Sequence, residues 1–71
     1  MAPEMEFIDS SSVEALGYDA AAQELHVLFK TGKTYVYFEV EEFRYQELRM
    51  ADSKGSYFNR EVKTRYRYEE Q

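Results

Sequence analysis

The segment richest in side chains able to do chemistry is Ser53-Lys-Gly-Ser-Tyr-Phe-Asn-Arg-Glu-Val-Lys-Thr-Arg-Tyr-Arg-Tyr68. In it Lys54, Arg60, Lys63, Arg65 and Arg67 interleave with Tyr57, Phe58, Tyr66 and Tyr68, against the single acid Glu61. Cations of this kind suit phosphates, and rings suit stacking on unpaired bases. Backbone amides at a helix start near Ser56 could receive a phosphate as well. The competing reading is an amphipathic helix whose arginines are solvated and whose rings are core. Composition by itself favours that second reading, and nearby Glu69 and Glu70 weaken the local potential further.

Elsewhere the residues specify no reaction. His26 is the one histidine and there is no cysteine, so the nitrogen and sulfur ligands of a zinc site are missing. Asp9, Asp19 and Asp52 lack the oxygen-ligand spacing of a calcium loop. Ser10-Ser11-Ser12 has no histidine nearby, no Gly-x-Ser-x-Gly elbow occurs, and Gly17, Gly32 and Gly55 are too scattered for a phosphate loop. No catalytic residue, metal or cofactor is expected, and an enzyme is the least supported class.

The elements that must position the basic aromatic segment can be read from periodicity. Val13–Tyr18 reads as a short strand, with Gly17 marking a bulge or a close backbone approach. Asp19 starts a turn, because its carboxylate can accept from amides two residues on. Leu25, Val27 and Phe29 alternate on one strand face, with His26 and Leu28 on the other. A helix from Ala20 to Leu28 competes, but the Thr31-Gly32 turn and the β-rich run Thr34-Tyr-Val-Tyr-Phe-Glu39 favour a hairpin. Tyr35 and Tyr37 share one face of that run and Val36 and Phe38 the other. The two tyrosines are therefore core if they meet the helices, or an aromatic platform if they do not. Glu41 and Glu42 suit the first turn of a helix, along which Tyr45, Leu48 and Ala51 recur. Asp52 to Gly55 ends it, Gly55 supplying a cap, and Ser56 then caps a second helix to about Tyr66 carrying Phe58, Val62 and Tyr66 at i, i+4 and i+8. Strands followed by helices predict an α+β domain: a three-stranded antiparallel meander, then two helices on one sheet face.

Length and composition agree with one small domain. The chain has 71 residues, 44% hydrophobic and 32% charged, with a formal net charge of −5. That charge argues against a nonspecific polyanion binder but leaves room for a local basic face. Residues 1–29 hold Glu4, Glu6, Asp9, Glu14, Asp19 and Glu24 and no Lys or Arg. Twelve aromatic residues, seven of them tyrosine, give a small core much area per ring. No apolar run approaches a membrane span, and Met1 to Glu6 lacks the basic and apolar regions of a secretory signal. A cytoplasmic monomer is expected, with residues 1–10 a flexible leader, 11–68 the domain and 69–71 a frayed tail.

The chain resembles the KTSC domain family, named for the C-terminus of some lysyl-tRNA synthetases and found also as stand-alone bacterial and phage proteins. The resemblance runs from about Ser11 to Tyr68. It rests on Gly17-Tyr18-Asp19, Leu25-x-Val27-x-Phe29, Gly32, the Tyr35-Val36-Tyr37 centre, Val40, Tyr45 and Leu48, and most of all on Ser53-Lys54-Gly55-Ser56-Tyr57-Phe58-Asn59 followed by Val62 and Tyr66. Glu41 and Arg67 depart from prolines common in the family, leaving the first helix start and the C-terminal end less constrained. The resemblance implies a small meander with helices and no catalytic activity. Its attachment to a synthetase suggests RNA, tRNA-like or single-stranded, as the partner. Lys54, Arg60, Lys63, Arg65 and Arg67 would then meet phosphates, and Tyr57 or Tyr68 a base. The alternative is a protein-interaction adaptor using a strand edge or an exposed Val36–Phe38 face.

Overall fold

The computed structural model describes residues 3–71. Seven elements follow one another: β1 (Glu6–Phe7), β2 (Val13–Asp19), β3 (Glu24–Phe29), β4 (Thr34–Tyr37), α1 (Glu42–Met50), α2 (Lys54–Glu61) and β5 (Tyr68–Glu70). The strands form one sheet in the order β1-β2-β3-β4-β5, every neighbouring pair antiparallel. The fold is α+β, with five strands where three were expected. Of the two additional edge strands, β1 lies in the segment read as leader, and β5 runs from the last residue assigned to the domain into the segment read as tail. Among the described residues no helix is long and apolar enough to cross a membrane.

Local chemistry shapes both central hairpins. Asp19 Oδ1 accepts from the amides of Ala21 and Ala22 at 3.1 and 3.2 Å, and Gln23 closes that turn at φ 55°. Between β3 and β4 the Phe29 amide donates to the Lys33 carbonyl at 2.9 Å, and Gly32 supplies φ 94°. A register shift between Val13 and Ala15 places a bulge at Glu14. The extra residue inverts side-chain parity, so Val13 and Leu16, three positions apart, are both buried in the core. Gly17 answers to the close approach rather than the bulge. A Cβ there would lie 2.5 Å from Met5 Sδ and 2.9 Å from the Glu4 carbonyl oxygen.

The core lies between the sheet and the helices, where Leu16, Leu25, Val27 and Tyr37 meet Val40, Leu48, Phe58 and Val62. Tyr18 stacks on Tyr45 of α1 with ring centroids 5.0 Å apart, and its hydroxyl donates to the Val40 carbonyl at 2.5 Å. Val40 in turn donates to the Gln23 carbonyl at 2.9 Å, tying the β4–α1 connection to the β2–β3 turn. Glu41 precedes α1 without a side-chain cap.

The second helix differs from the expected one at its start, in its glycine and at its end. Ser53, not Ser56, is its N-cap and accepts from the Ser56 amide at 3.4 Å. Gly55 lies inside the helix, 3.5 Å from Ser10 Oγ when given a Cβ, and caps nothing. The helix stops at Glu61 rather than near Tyr66. Residues 62–66 continue as turns, held by the Val62 and Lys63 amides on the Phe58 carbonyl at 3.0 and 2.9 Å. The reason is closure: the chain must reverse to lay β5 on β4. There the Phe38 amide donates to Arg67 O at 2.9 Å and the Gln71 amide to Thr34 O at 2.7 Å.

Candidate nucleic-acid interface

Register decides the orientation of the central tyrosines. Leu25 pairs with Tyr37 and Val27 with Tyr35, so both rings stand on the helix-facing side of the sheet. Tyr37 is 2% exposed and belongs to the core, while Tyr35 is half-buried. Beyond the end of α2 these rings are not fully roofed. Phe58 meets Phe29 at 5.7 Å and Tyr37 at 5.3 Å, both edge to face. From the sheet edge Tyr68 leans over Tyr35 and Tyr37, 5.3 Å from each and 50% exposed. The result is an open cleft of about 950 Å³ with an aromatic floor.

The cleft rim is cationic. Lys30 and Lys33 come from the β3–β4 turn and Lys63 from the turn after α2, with Asn59 and Thr64 beside them. No carboxylate is among the lining residues; Glu70 approaches from outside, 3.8 Å from Lys33 Nζ. Of the expected contact residues, Lys63, Tyr68, Tyr35 and Tyr37 are brought together here. Phe29, Lys30, Lys33 and Asn59 line it too and are not among the expected contact residues. The one sequence signal for the first lysine pair is that Lys30 and Lys33 bracket the Thr31-Gly32 turn.

Five expected contact residues lie elsewhere. Lys54 Nζ donates to the Ala51 carbonyl at 3.2 Å. The Arg67 guanidinium covers the Phe38 ring at 5.1 Å. Arg60 Nε donates to Glu61 at 3.1 Å, and Arg65 forms an ion pair with the same carboxylate, Nε to oxygen 3.3 Å. Tyr57 donates to Glu47 at 2.5 Å and accepts from Arg44 at 3.2 Å. The second sheet face is not an apolar platform either, for Val36 is 4% exposed and Phe38 half-buried. His26 shares that face and sits 3.3 Å from Glu24. Among the described residues no three His, Cys, Asp or Glu side chains gather as a metal site would need.

Half-buried Arg44 organises the polar side of the helices. Its Nε donates to the Tyr66 hydroxyl at 3.2 Å, and that hydroxyl donates onward to Glu41 at 2.7 Å. The bonds from Arg44 to Tyr66 and Tyr57 hold its guanidinium above the usual range. The Tyr66 hydroxyl and a backbone amide hold Glu41 below the usual carboxylate range.

Burial, with Tyr68 and Tyr35 close by, pushes Tyr37 from 10 up to about 12. Burial shifts Tyr18, Tyr45, Tyr57 and Tyr66 in the same direction. An unfolded chain releases the Tyr37 proton near pH 10, whereas the folded chain retains it to about pH 12. The stability contribution is therefore complete below about pH 10 and is lost as pH rises through about 12. Urea unfolding followed across that interval should show a loss of about 2 kcal/mol. A midpoint that stays flat while tyrosinate absorbance grows would contradict it.

Comparison with known proteins agrees with this architecture. The family model of the KTSC domain matches residues 9–66. A protein of Tsukamurella paurometabola is 43% identical over 63 residues, covering 89% of this chain and 94% of its own length. A lysine–tRNA ligase of Nostoc sp. is 36% identical over 62 residues, 87% of this chain but 11% of the ligase. The crystal structure of a KTSC domain protein from Yersinia pestis superposes with a TM-score of 0.93 at 30% identity, covering 99% of both chains. On the match across most of its length and on the shared fold, the chain belongs to the KTSC domain family.

Proposed function

We propose that this chain is a non-enzymatic binding module that holds single-stranded RNA in the aromatic cleft, as a cytoplasmic monomer. The observation that carries the reading is the cleft itself: a floor of rings, three lysines on the rim and no lining carboxylate. Rings offer stacking to any unpaired base, and lysines attract the backbone between bases. A duplex keeps its base faces stacked and would gain only the phosphate term. The net charge of −5 disfavours a general polyanion surface, so such attraction must come from local basic sites like this rim. The lysine–tRNA ligase relative places a similar domain on a protein named for a tRNA substrate.

The test is an amide-shift NMR titration of labelled protein with tRNA and with a short single-stranded RNA, at low and physiological salt. Saturable, salt-sensitive shifts at Phe29, Lys30, Lys33, Tyr35, Lys63 and Tyr68 are expected. Silence at both salts would overturn the reading and redirect the search to a protein partner.

A further inference from the structure

The carboxylate of Glu61 is surrounded by three guanidiniums. Arg44 Nη1 reaches its Oε1 at 3.2 Å, Arg65 Nε the same oxygen at 3.3 Å, and Arg60 Nε its Oε2 at 3.1 Å. The three differ in depth. The Arg44 side chain is 16% exposed, whereas those of Arg60 and Arg65 are 63% and 57% exposed. Arg44 is further committed to the Tyr57 and Tyr66 hydroxyls, which pass its bonding on to Glu47 and Glu41. Among the described residues the Arg60 side chain makes no hydrogen bond but the one to Glu61, and the Arg65 side chain has only its ion pair with Glu61, although Arg60 also rests 5.6 Å from the centre of the Tyr57 ring.

Each guanidinium carries five N–H donors in a rigid fork. Glu61 accepts from Arg60 Nε and pairs with the charge of Arg65 at its Nε, and among the described residues the Nη groups of both have no hydrogen-bond partner. Two long, exposed side chains are thus drawn to the two oxygens of one carboxylate, which is itself held by the more deeply buried Arg44. We infer that Glu61 arranges Arg60 and Arg65 as a two-arginine clamp for a phosphoryl anion, a site separate from the aromatic cleft. A phosphate group accepts from two forks at once, an arrangement the tetrahedral oxyanion fits and a single lysine cannot reproduce. The anion is either a free polyphosphate or a phosphate of a nucleic-acid backbone. The clamp does not depend on the cleft reading.

Charge counting and positioning make opposite predictions here. Glu61→Gln removes a negative charge beside the arginines, so a purely electrostatic surface should bind anions more tightly. A clamp held together by the carboxylate should bind them less tightly. The experiment follows the Arg Nε–H resonances of the whole chain during titration with inorganic pyrophosphate and, separately, with a short single-stranded RNA. Arg60 and Arg65 should move together and saturate with at least one of the two, and which one identifies the source of the phosphate. Glu61→Gln should then weaken that binding about fivefold. Arg65→Lys keeps the charge on an exposed side chain and so leaves the fold intact. It should weaken binding similarly, because a lysine has no second edge to anchor. Immobile Nε resonances with both probes would overturn the clamp, as would Glu61→Gln binding equally or more tightly, or Arg65→Lys binding unchanged. Because the cleft is read at Phe29, Tyr35 and Tyr68, either site can fail without the other.

Discussion

Phe58→Ala should remove about 3–5 kcal/mol of folding stability, the cost usual for emptying a buried aromatic site. Phe58 is 3% exposed and stands where α2 meets the sheet, its ring edge-on to Phe29 and to Tyr37. Its neighbours can fill the gap only in part, because the β3–β4 register and the Phe29 amide bond to the Lys33 carbonyl hold the backbones of Tyr37 and Phe29 in place. A chain of 71 residues has a total stability of only about 4–10 kcal/mol. The substitution therefore consumes most of it. Urea unfolding measured by far-UV circular dichroism gives the difference directly, and Phe58→Leu, which refills most of the volume, should recover more than half. A loss below about 1 kcal/mol for the alanine variant would mean that the helix–sheet seam is held elsewhere.

RNA affinity should fall by at least about tenfold in the double variant Tyr68→Ala with Lys63→Glu. Removing a stacked ring costs about 1–3 kcal/mol per base, and reversing a rim charge adds repulsion of the backbone. Both positions suit substitution, since Tyr68 is half exposed on the edge strand and Lys63 is fully on the surface. Unchanged circular dichroism would show that the fold survives. The single variants separate the contributions: Lys63→Glu should reduce the salt dependence, whereas Tyr68→Ala should lower affinity nearly equally at all salts. Arg67→Glu is the informative control. Arg67 lies over Phe38, outside the cleft, and should matter much less than Lys63. Equal losses for Arg67→Glu and Lys63→Glu, with none for Tyr68→Ala, would exclude the cleft as the contact surface.

What the sequence by itself determined is local in origin. Asp19 and Gly32 specify their turns through side-chain capping and positive φ, chemistry contained within four residues. The strand alternation of Leu25 and Val27 and the helical recurrence of Phe58 and Val62 grouped residues that are core together and pointed to the α+β class, because each period is a property of its own element, while which hairpin face meets the helices stayed open. Ser53 as a cap was missed only because Ser56 offered the same side chain three residues later. Tertiary structure alone decided the rest. Glu69 and Glu70 have poor strand propensity, yet they pair with Val36 and Tyr35 because backbone groups at the open edge of β4 need partners. The bulge at Glu14 appears only in the register against β3. Lys30 and Lys33 join Lys63 at one rim because the β3–β4 turn and the turn after α2 end on the same side of the sheet. Arg60 and Arg65 reach Glu61 by local spacing, one residue before it and four after, whereas Arg44 joins the same carboxylate only because α1 packs beside α2. Periodicity is written residue by residue, but which charges meet is set by where the chain reverses, and that is fixed by closing the sheet.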